Sequence, residues 1–259
     1  MTAPELSYYN IADGIISFST TRHGGCSRGN YGEFNINEYC GDTPVHVAAN
    51  RRILAAELGI APDHIVMPHQ THGTGTRIIG SDFPTLPEPV RRTQLEGIDA
   101  VMTDAKGICI GVSTADCIPV LLYDARHHAA CAVHAGWRGT LARITSKAVA
   151  DMQSAYHTDP AQLNAVIGPG ISLDNFEVGD EVYYAFKEAA FDMGAIAVKR
   201  AKWHIDLPLA NRLLLKQAGL AYENIVDTGI CTYANADTYF SARRLGIESG
   251  RIFTGILMQ

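Results

Sequence analysis

Three short apolar runs, Gly107–Val112, Pro119–Tyr123 and Ala129–His134, constrain this chain most. Each is too short to be a typical helix and stays apolar at successive positions, which reads as a strand buried on both faces. Polar strings follow two of them: Thr114-Ala115-Asp116-Cys117 after the first, and His134-Ala135-Gly136-Trp137-Arg138-Gly139 at the end of the third. Each string places a reactive side chain where a strand ends. A thiol and an imidazole on neighbouring strand ends have two main uses: they bind a metal, or they act as nucleophile and base.

Composition narrows the setting. The 259 residues are 47% hydrophobic and 19% charged, which suits one compact domain spanning 1–259. A formal charge of −6, with no basic tail or stripe, argues against a nucleic-acid partner. Met1 to Asp13 lacks the charged and apolar regions of a leader peptide, and no apolar run approaches the roughly 20 residues of a membrane helix. The six cysteines form no CxxC and no framework spacing, so reduced thiols and a cytoplasmic location are expected.

Strand and helix signals alternate along the chain, giving an α+β (mixed α/β) class. Ile15–Phe18 is strand-like. Thr43 caps a helix with Pro44 at its first position and Gly59 after its end. Phe83–Pro89, with three prolines, reads as an irregular loop. Asp99–Thr103 is a further strand, as are Ala165–Ile167, Asn224–Thr228 and Arg251–Leu257. Helices are predicted over Leu141–Met152 and Val178–Met193, and between Asp206 and Gly219.

Most of the ten histidines fit ordinary surface or half-buried roles. His134 differs because it ends an apolar strand and leads into a Gly-Trp-Arg-Gly loop. His69 and His72 share Pro68-His69-Gln70-Thr71-His72-Gly73, where one of the pair can face a cleft. Cys109 and Cys131 alternate with apolar neighbours and read as inert core thiols. Cys117 sits where polar residues interrupt an apolar run.

With these strings in place, the chain resembles the bacterial laccase-domain, or polyphenol-oxidase-like, family of broad-specificity purine nucleoside phosphorylases with adenosine deaminase activity. The likeness runs through Gly24-Gly25-Cys26-Ser27, Gly41-Asp42 leading to Asn50-Arg51, Gln70-Thr71-His72-Gly73, Ala100 to Asp104, Thr114 to Pro119, His134 to Gly139, Ile167 to Gly170, Phe176 to Gly179, Cys231-Thr232 and Phe240 to Arg244. It implies a four-layer α/β/β/α arrangement of packed mixed sheets flanked by helices, and a monomer. It further implies that His72, Cys117 and His134 bind Zn²⁺. One thiolate and two neutral imidazoles suit zinc and leave a fourth position open. Purine nucleosides and inorganic phosphate are the implied partners, with adenosine, inosine, guanosine and methylthioadenosine as candidate substrates. Arg51, Arg138, Arg243 and Arg244, inside the matched strings, are candidates for phosphate or substrate binding. Asp116 is the candidate proton shuttle, with Glu177 behind it, and Trp137 is a candidate stacking surface. His69 is a potential competitor for the metal.

Copper oxidase chemistry is disfavoured. The chain has no His-x-His string, and one cysteine with two histidines cannot furnish a multicopper cluster, although a single site can still take up copper. The H-x-E…P-C-x-x-C deaminase signature is also absent. Two other readings stay open from the residues alone. One is a metal-free cysteine hydrolase or amidase, with Cys117 as nucleophile, His134 as base and Asp116 as orienter. The other is a non-enzymatic metal-binding module.

Overall fold

The apolar runs build two sheets packed face to face. In the computed structural model, which describes residues 3–259, the first sheet has the order β1 (Leu6–Tyr9), β2 (Ile15–Thr20), β14 (Ile252–Met258), β6 (Cys109–Thr114) and β3 (Ile65–Val66). The second runs β13 (Ile225–Asp227), β9 (Leu163–Ile167), β7 (Ile118–Asp124), β8 (Ala129–Ala135), β5 (Ala100–Thr103) and β4 (Thr76–Ile78). Most neighbours are antiparallel; β3 with β6, β4 with β5 and β13 with β9 are parallel. Met1 and Thr2, at the start of the segment read for a leader, lie outside the described residues.

Period-2 alternation sorts the side chains between layers. Leu121, Tyr123, Ala130 and Ala132 of the second sheet pack with Ile110, Val112 and Ile256 of the first. Their strand neighbours Val120, Leu122, Cys131 and Val133 point the other way. There they meet α4 (Ile144–Tyr156), α5 (Asp180–Glu188) and α7 (Leu207–Gln217). On the far side α1 (Pro44–Leu58) lays Leu54, Ala55 and Leu58 against Cys109, Phe253 and Leu257. The order helix, sheet, sheet, helix is the four-layer arrangement expected. Both sheets are covered on both faces, which is why antiparallel strands here read as unbroken apolar runs. Each fully buried Leu, Ile or Val contributes roughly 1.5–3 kcal/mol.

Of the predicted caps, Thr43 stands at the N-cap position of α1 without a side-chain capping bond, whereas Gly59 and Asp206 act as expected. Gly59 takes the left-handed conformation, at φ 68°, that closes α1, and Asp206 accepts the Leu209 N–H at the start of α7. Three expectations are corrected. Leu141–Met152 is not one helix, because α3 (Trp137–Leu141) stops and Arg143, at φ 59°, resets the chain before α4. The Arg143 guanidinium secures that break by bonding Ala189 O and lying over the Phe191 ring. Val178–Met193 likewise divides. Val178 belongs to a short strand β10 (Glu177–Val178), α5 ends at Glu188, and Ala190 at φ 59° turns the chain into α6 (Met193–Ile196). Finally, the proline-rich loop already contains the start of α2 (Glu88–Leu95), since proline is tolerated in a first turn. β10 pairs with β12 (Trp203–Ile205), which pairs with β11 (Ala197–Lys199), in a small third sheet that sequence reading missed. Among the described residues no helix is long and apolar enough to cross a membrane.

One topological fact positions the site. β3 and β6 lie in the first sheet, whereas the strands that follow them, β4 and β7, lie in the second. The segments carrying His72 and Cys117 are therefore crossings between sheets. They meet beside the end of β8 and the start of β14, where Ile252 pairs with Thr114.

Candidate metal centre

His72, Cys117 and His134 come together as the sequence predicts. Their ligand atoms all lie within 4.8 Å of one another. The Cys117 Sγ is 3.8 Å from His72 Nε2, and the two imidazoles meet edge to face with centroids 4.8 Å apart. Tetrahedral zinc with ordinary Zn–N and Zn–S bonds separates its donors by about 3.3–3.6 Å. The observed set therefore needs about an ångström of contraction, well within side-chain reach. His134 is buried, Cys117 half-buried and His72 exposed, so the cluster opens to one side.

Local backbone geometry delivers these groups. His134 is the penultimate residue of β8 and projects toward the space between the sheets. His72 (φ 63°) and Asp116 (φ 87°) both occupy the left-handed region, which costs non-glycine residues of order 1–3 kcal/mol each. Gly136 packs so tightly behind the cluster that a Cβ there would stand 2.9 Å from His72 Cδ2 and 3.0 Å from Cys117 Sγ. Only glycine leaves room for both ligands.

The charges are coupled. Burial pushes the Cys117 thiol up, but the adjacent His134 and His72 imidazoles outweigh it and bring the thiol down to about 6. Burial likewise lowers His134, yet the Cys117 sulfur and then Asp99 raise it to about 9. Both shifts favour a thiolate beside an imidazolium when no metal is bound. A divalent cation held here would take the same thiolate and displace the ring proton. Cys109 and Cys131, buried and far from any such partner, are pushed up by burial, in keeping with inert core thiols.

The cluster lines a cavity of about 640 Å³, whose walls include Trp137, Phe176 and Arg243. This lies within the range of small-molecule sites. Of the four arginines proposed from the sequence, Arg243 alone lines this cavity. Its Nη1 donates to Glu177 O at 3.1 Å, and its guanidinium lies over the Phe176 ring. Arg138 stacks on the Trp137 ring at 4.2 Å and is exposed outside the cavity, while Arg244 lies over Tyr233. Arg51 sits on α1, donates to Ile65 O and lines a separate cavity of about 530 Å³. Asp116 lies at the cavity wall with both carboxylate oxygens in use: one accepts the Thr232 hydroxyl, the other the Arg243 N–H, each at 2.7 Å. Glu177 is paired with Lys202. His69 lies outside the His72–Cys117–His134 cluster; its Nδ1 meets Glu96 at 2.9 Å and its ring stacks on Tyr39.

Sequence reading missed Asp99. This fully buried carboxylate accepts the His134 Nδ1–H at 2.8 Å and the backbone N–H groups of Thr71, His72 and Gly73. Burial works against its ionisation, but the His134 ring and these N–H donors hold it below the usual carboxylate range. A lone acid opening an apolar strand was the available signal. Gln70 was missed too: its amide exchanges two hydrogen bonds with the Ser113 backbone and ties the His72 segment to β6.

This sequence and fold match known proteins. Residues 16–259 match the family described as multi-copper polyphenol oxidoreductase laccase, and the chain belongs to that family. It is 44% identical to a purine nucleoside phosphorylase of Bacteroides thetaiotaomicron, across 97% of this chain and 93% of that one. It is 42% identical to adenosine deaminase RL5 from an unknown prokaryotic organism, across 97% of both chains. The crystal structure of YlmD from Geobacillus stearothermophilus superposes with a TM-score of 0.89 at 27% identity, covering 97% of this chain and 94% of that chain.

Proposed function

We propose that this protein is a zinc-dependent purine nucleoside phosphorylase that also deaminates adenosine. The observation carrying this reading is the His72–Cys117–His134 cluster opening into a cavity that also holds Arg243. The donor set suits zinc: one thiolate, two imidazoles, three protein ligands rather than the four of a structural site. The metal, when bound, supplies Lewis acidity and makes water a better nucleophile near neutral pH.

The remaining tasks fall to the chain. In phosphorolysis a phosphate oxygen forms the bond to ribose C1′ as the bond from C1′ to the purine breaks, and the proton that the hydrogen phosphate gives up balances the one the departing purine takes up. Arg243 keeps its Nε and Nη2 unengaged by protein groups, and these meet the dianion in charge-assisted bonds. Asp116, proposed from the sequence as the proton shuttle, is read here as the group that orients Arg243 through its backbone N–H. Trp137 and Phe176 give the cavity aromatic faces for the nucleoside. Adenosine, inosine and guanosine are the proposed substrates, with methylthioadenosine as a further candidate.

The thiolate–imidazolium pair, with Asp99 on the far ring nitrogen, also matches the layout of a cysteine hydrolase. A second imidazole at 3.8 Å from the sulfur has no task in such a triad but completes a metal set. Multicopper chemistry is not supported either: among the described residues, one three-donor group is present.

Product analysis of adenosine tests the reading in one assay. Adenine and ribose 1-phosphate should form only with phosphate present, inosine should form without it, and a chelator should stop both. Turnover that survives metal removal but falls stoichiometrically to a thiol alkylator would establish the hydrolase instead.

A further inference from the structure

We propose that Asp99 is the positioning residue of the metal centre, one buried carboxylate that sets both histidine ligands, His134 through its ring and His72 through its backbone. This rests on the reading that the three-residue cluster holds a metal.

On one oxygen, Asp99 Oδ1 accepts the His134 Nδ1–H at 2.8 Å and the His72 N–H at 3.0 Å. On the other, Oδ2 accepts Gly73 N–H at 2.8 Å and Thr71 N–H at 3.3 Å. The Asp99 carbonyl also accepts the His134 N–H at 2.8 Å, so the two residues are locked through main chain and side chain together. Two consequences follow for the metal. With Nδ1 committed as a donor, the lone pair of His134 is on Nε2, the nitrogen left to face Cys117. The His72 backbone is held at φ 63°, a conformation histidine rarely adopts, by three consecutive N–H groups converging on one anion.

Only a carboxylate fills this role. Four donors need two acceptor oxygens, and an amide offers one oxygen while its NH₂ would face an N–H. Asp124, at the other end of the β7–β8 hairpin, uses the same device: it accepts the His127 Nδ1–H and the N–H groups of Arg126 and His127. Among the described residues His127 belongs to no group of three donors that could hold a metal, and its neighbour His128 is turned to the Tyr123 hydroxyl, so there the device holds a turn. Beside Cys117 it aims a ligand.

The test measures metal affinity directly, by chelator competition with Zn²⁺ and by the visible absorption of the Co²⁺-loaded protein. Wild type is compared with Asp99→Asn and with Val101→Ala, a buried change on β5, the strand that Asp99 precedes, in the apolar core between the sheets. Asp99→Asn should bind Zn²⁺ about 10- to 100-fold more weakly and alter the cobalt spectrum. Val101→Ala should lose stability while keeping wild-type affinity and spectrum. Wild-type affinity and spectrum in folded Asp99→Asn would overturn the proposal. Should that variant fail to fold, ¹⁵N NMR of zinc-loaded wild type decides: protonated Nδ1 with coordinated Nε2 at His134 supports it, and coordinated Nδ1 overturns it. Wild type that takes up neither metal would overturn the metal reading itself, a result distinct from a failure of Asp99 alone.

Discussion

Arg243 carries the clearest division of labour at the scale of a single residue. Its guanidinium is exposed at the cavity, its backbone N–H is held by Asp116, and it touches none of the three ligands. Replacing it by alanine should raise KM for phosphate by about 10- to 100-fold, the range of a lost charge-assisted bond. Bound metal should stay unchanged and deamination, which needs no phosphate, should persist. Separate phosphorolysis and deamination assays with metal analysis check this; equal loss of both activities would place Arg243 in general substrate binding. Residue by residue, Cys117 and His134 were legible as reactive groups because a thiol and an imidazole stood where apolar strands ended, whereas His72 entered as a candidate ligand only through the family resemblance. Asp99 was not, because an acid at a strand start carries no mark of the four donors that converge on it from Thr71–Gly73 and His134. Arg51 and Arg138 shared the matched strings with Arg243, but string membership says nothing about which way a side chain points.

Among the elements, the junction between β8 and α3 sets how closely the ligands approach. Gly136 has φ −68°, which any residue adopts, so alanine there adds no backbone strain. Its methyl group would nonetheless press on His72 and Cys117. Gly136→Ala should therefore weaken zinc binding by about tenfold or more while leaving the metal-free unfolding temperature nearly unchanged. Chelator competition and thermal melts on the same samples separate the two. The β7–β8 turn makes a contrasting prediction about pH. Burial pushes Asp124 up, but the neighbouring Thr158 side chain, the His127 ring and two backbone N–H groups outweigh it and hold the carboxyl below its ordinary value. A depressed carboxyl pKa stabilises the fold above the unfolded value of about 4, and that contribution is lost as pH falls through the folded value. Asp124→Asn should lower the melting temperature at neutral pH and reduce its slope below about pH 5. A wild-type acid limb in that variant would show that other carboxylates govern it. The elements read correctly from sequence were those with strong local signals: the α1 and α7 caps and the buried strands. The breaks at Arg143 and Ala190 escaped because tertiary contacts, Arg143 with Ala189 and Phe191, stabilise left-handed residues that local sequence does not favour.

At the scale of the whole molecule, the candidate metal centre sits where two connections, β3 to β4 and β6 to β7, pass from the first sheet to the second. His72 lies on the first crossing, Cys117 on the second, and His134 closes a strand of the second sheet. The three candidate ligands are therefore far apart in sequence and meet where the two layers join, so an ion bound there would fasten the layers at that end. An ion that binds this arrangement and not the unfolded chain stabilises the fold by linkage, about 4 kcal/mol when free metal is a thousand times its dissociation constant. For a chain of this size each kcal/mol shifts the melting temperature by about 2–4 °C, so zinc loading should raise it by roughly 8–16 °C. Chelation should reverse the shift. Cys117→Ala should melt near the metal-free wild type and show no response to zinc, since a single lost ligand opens the only thiolate in the set. Melts with zinc, with chelator and with the variant check this together. A zinc-independent melting temperature in wild type would mean that the two crossings are held by Asp99 and Gln70 alone, with no metal binding the layers.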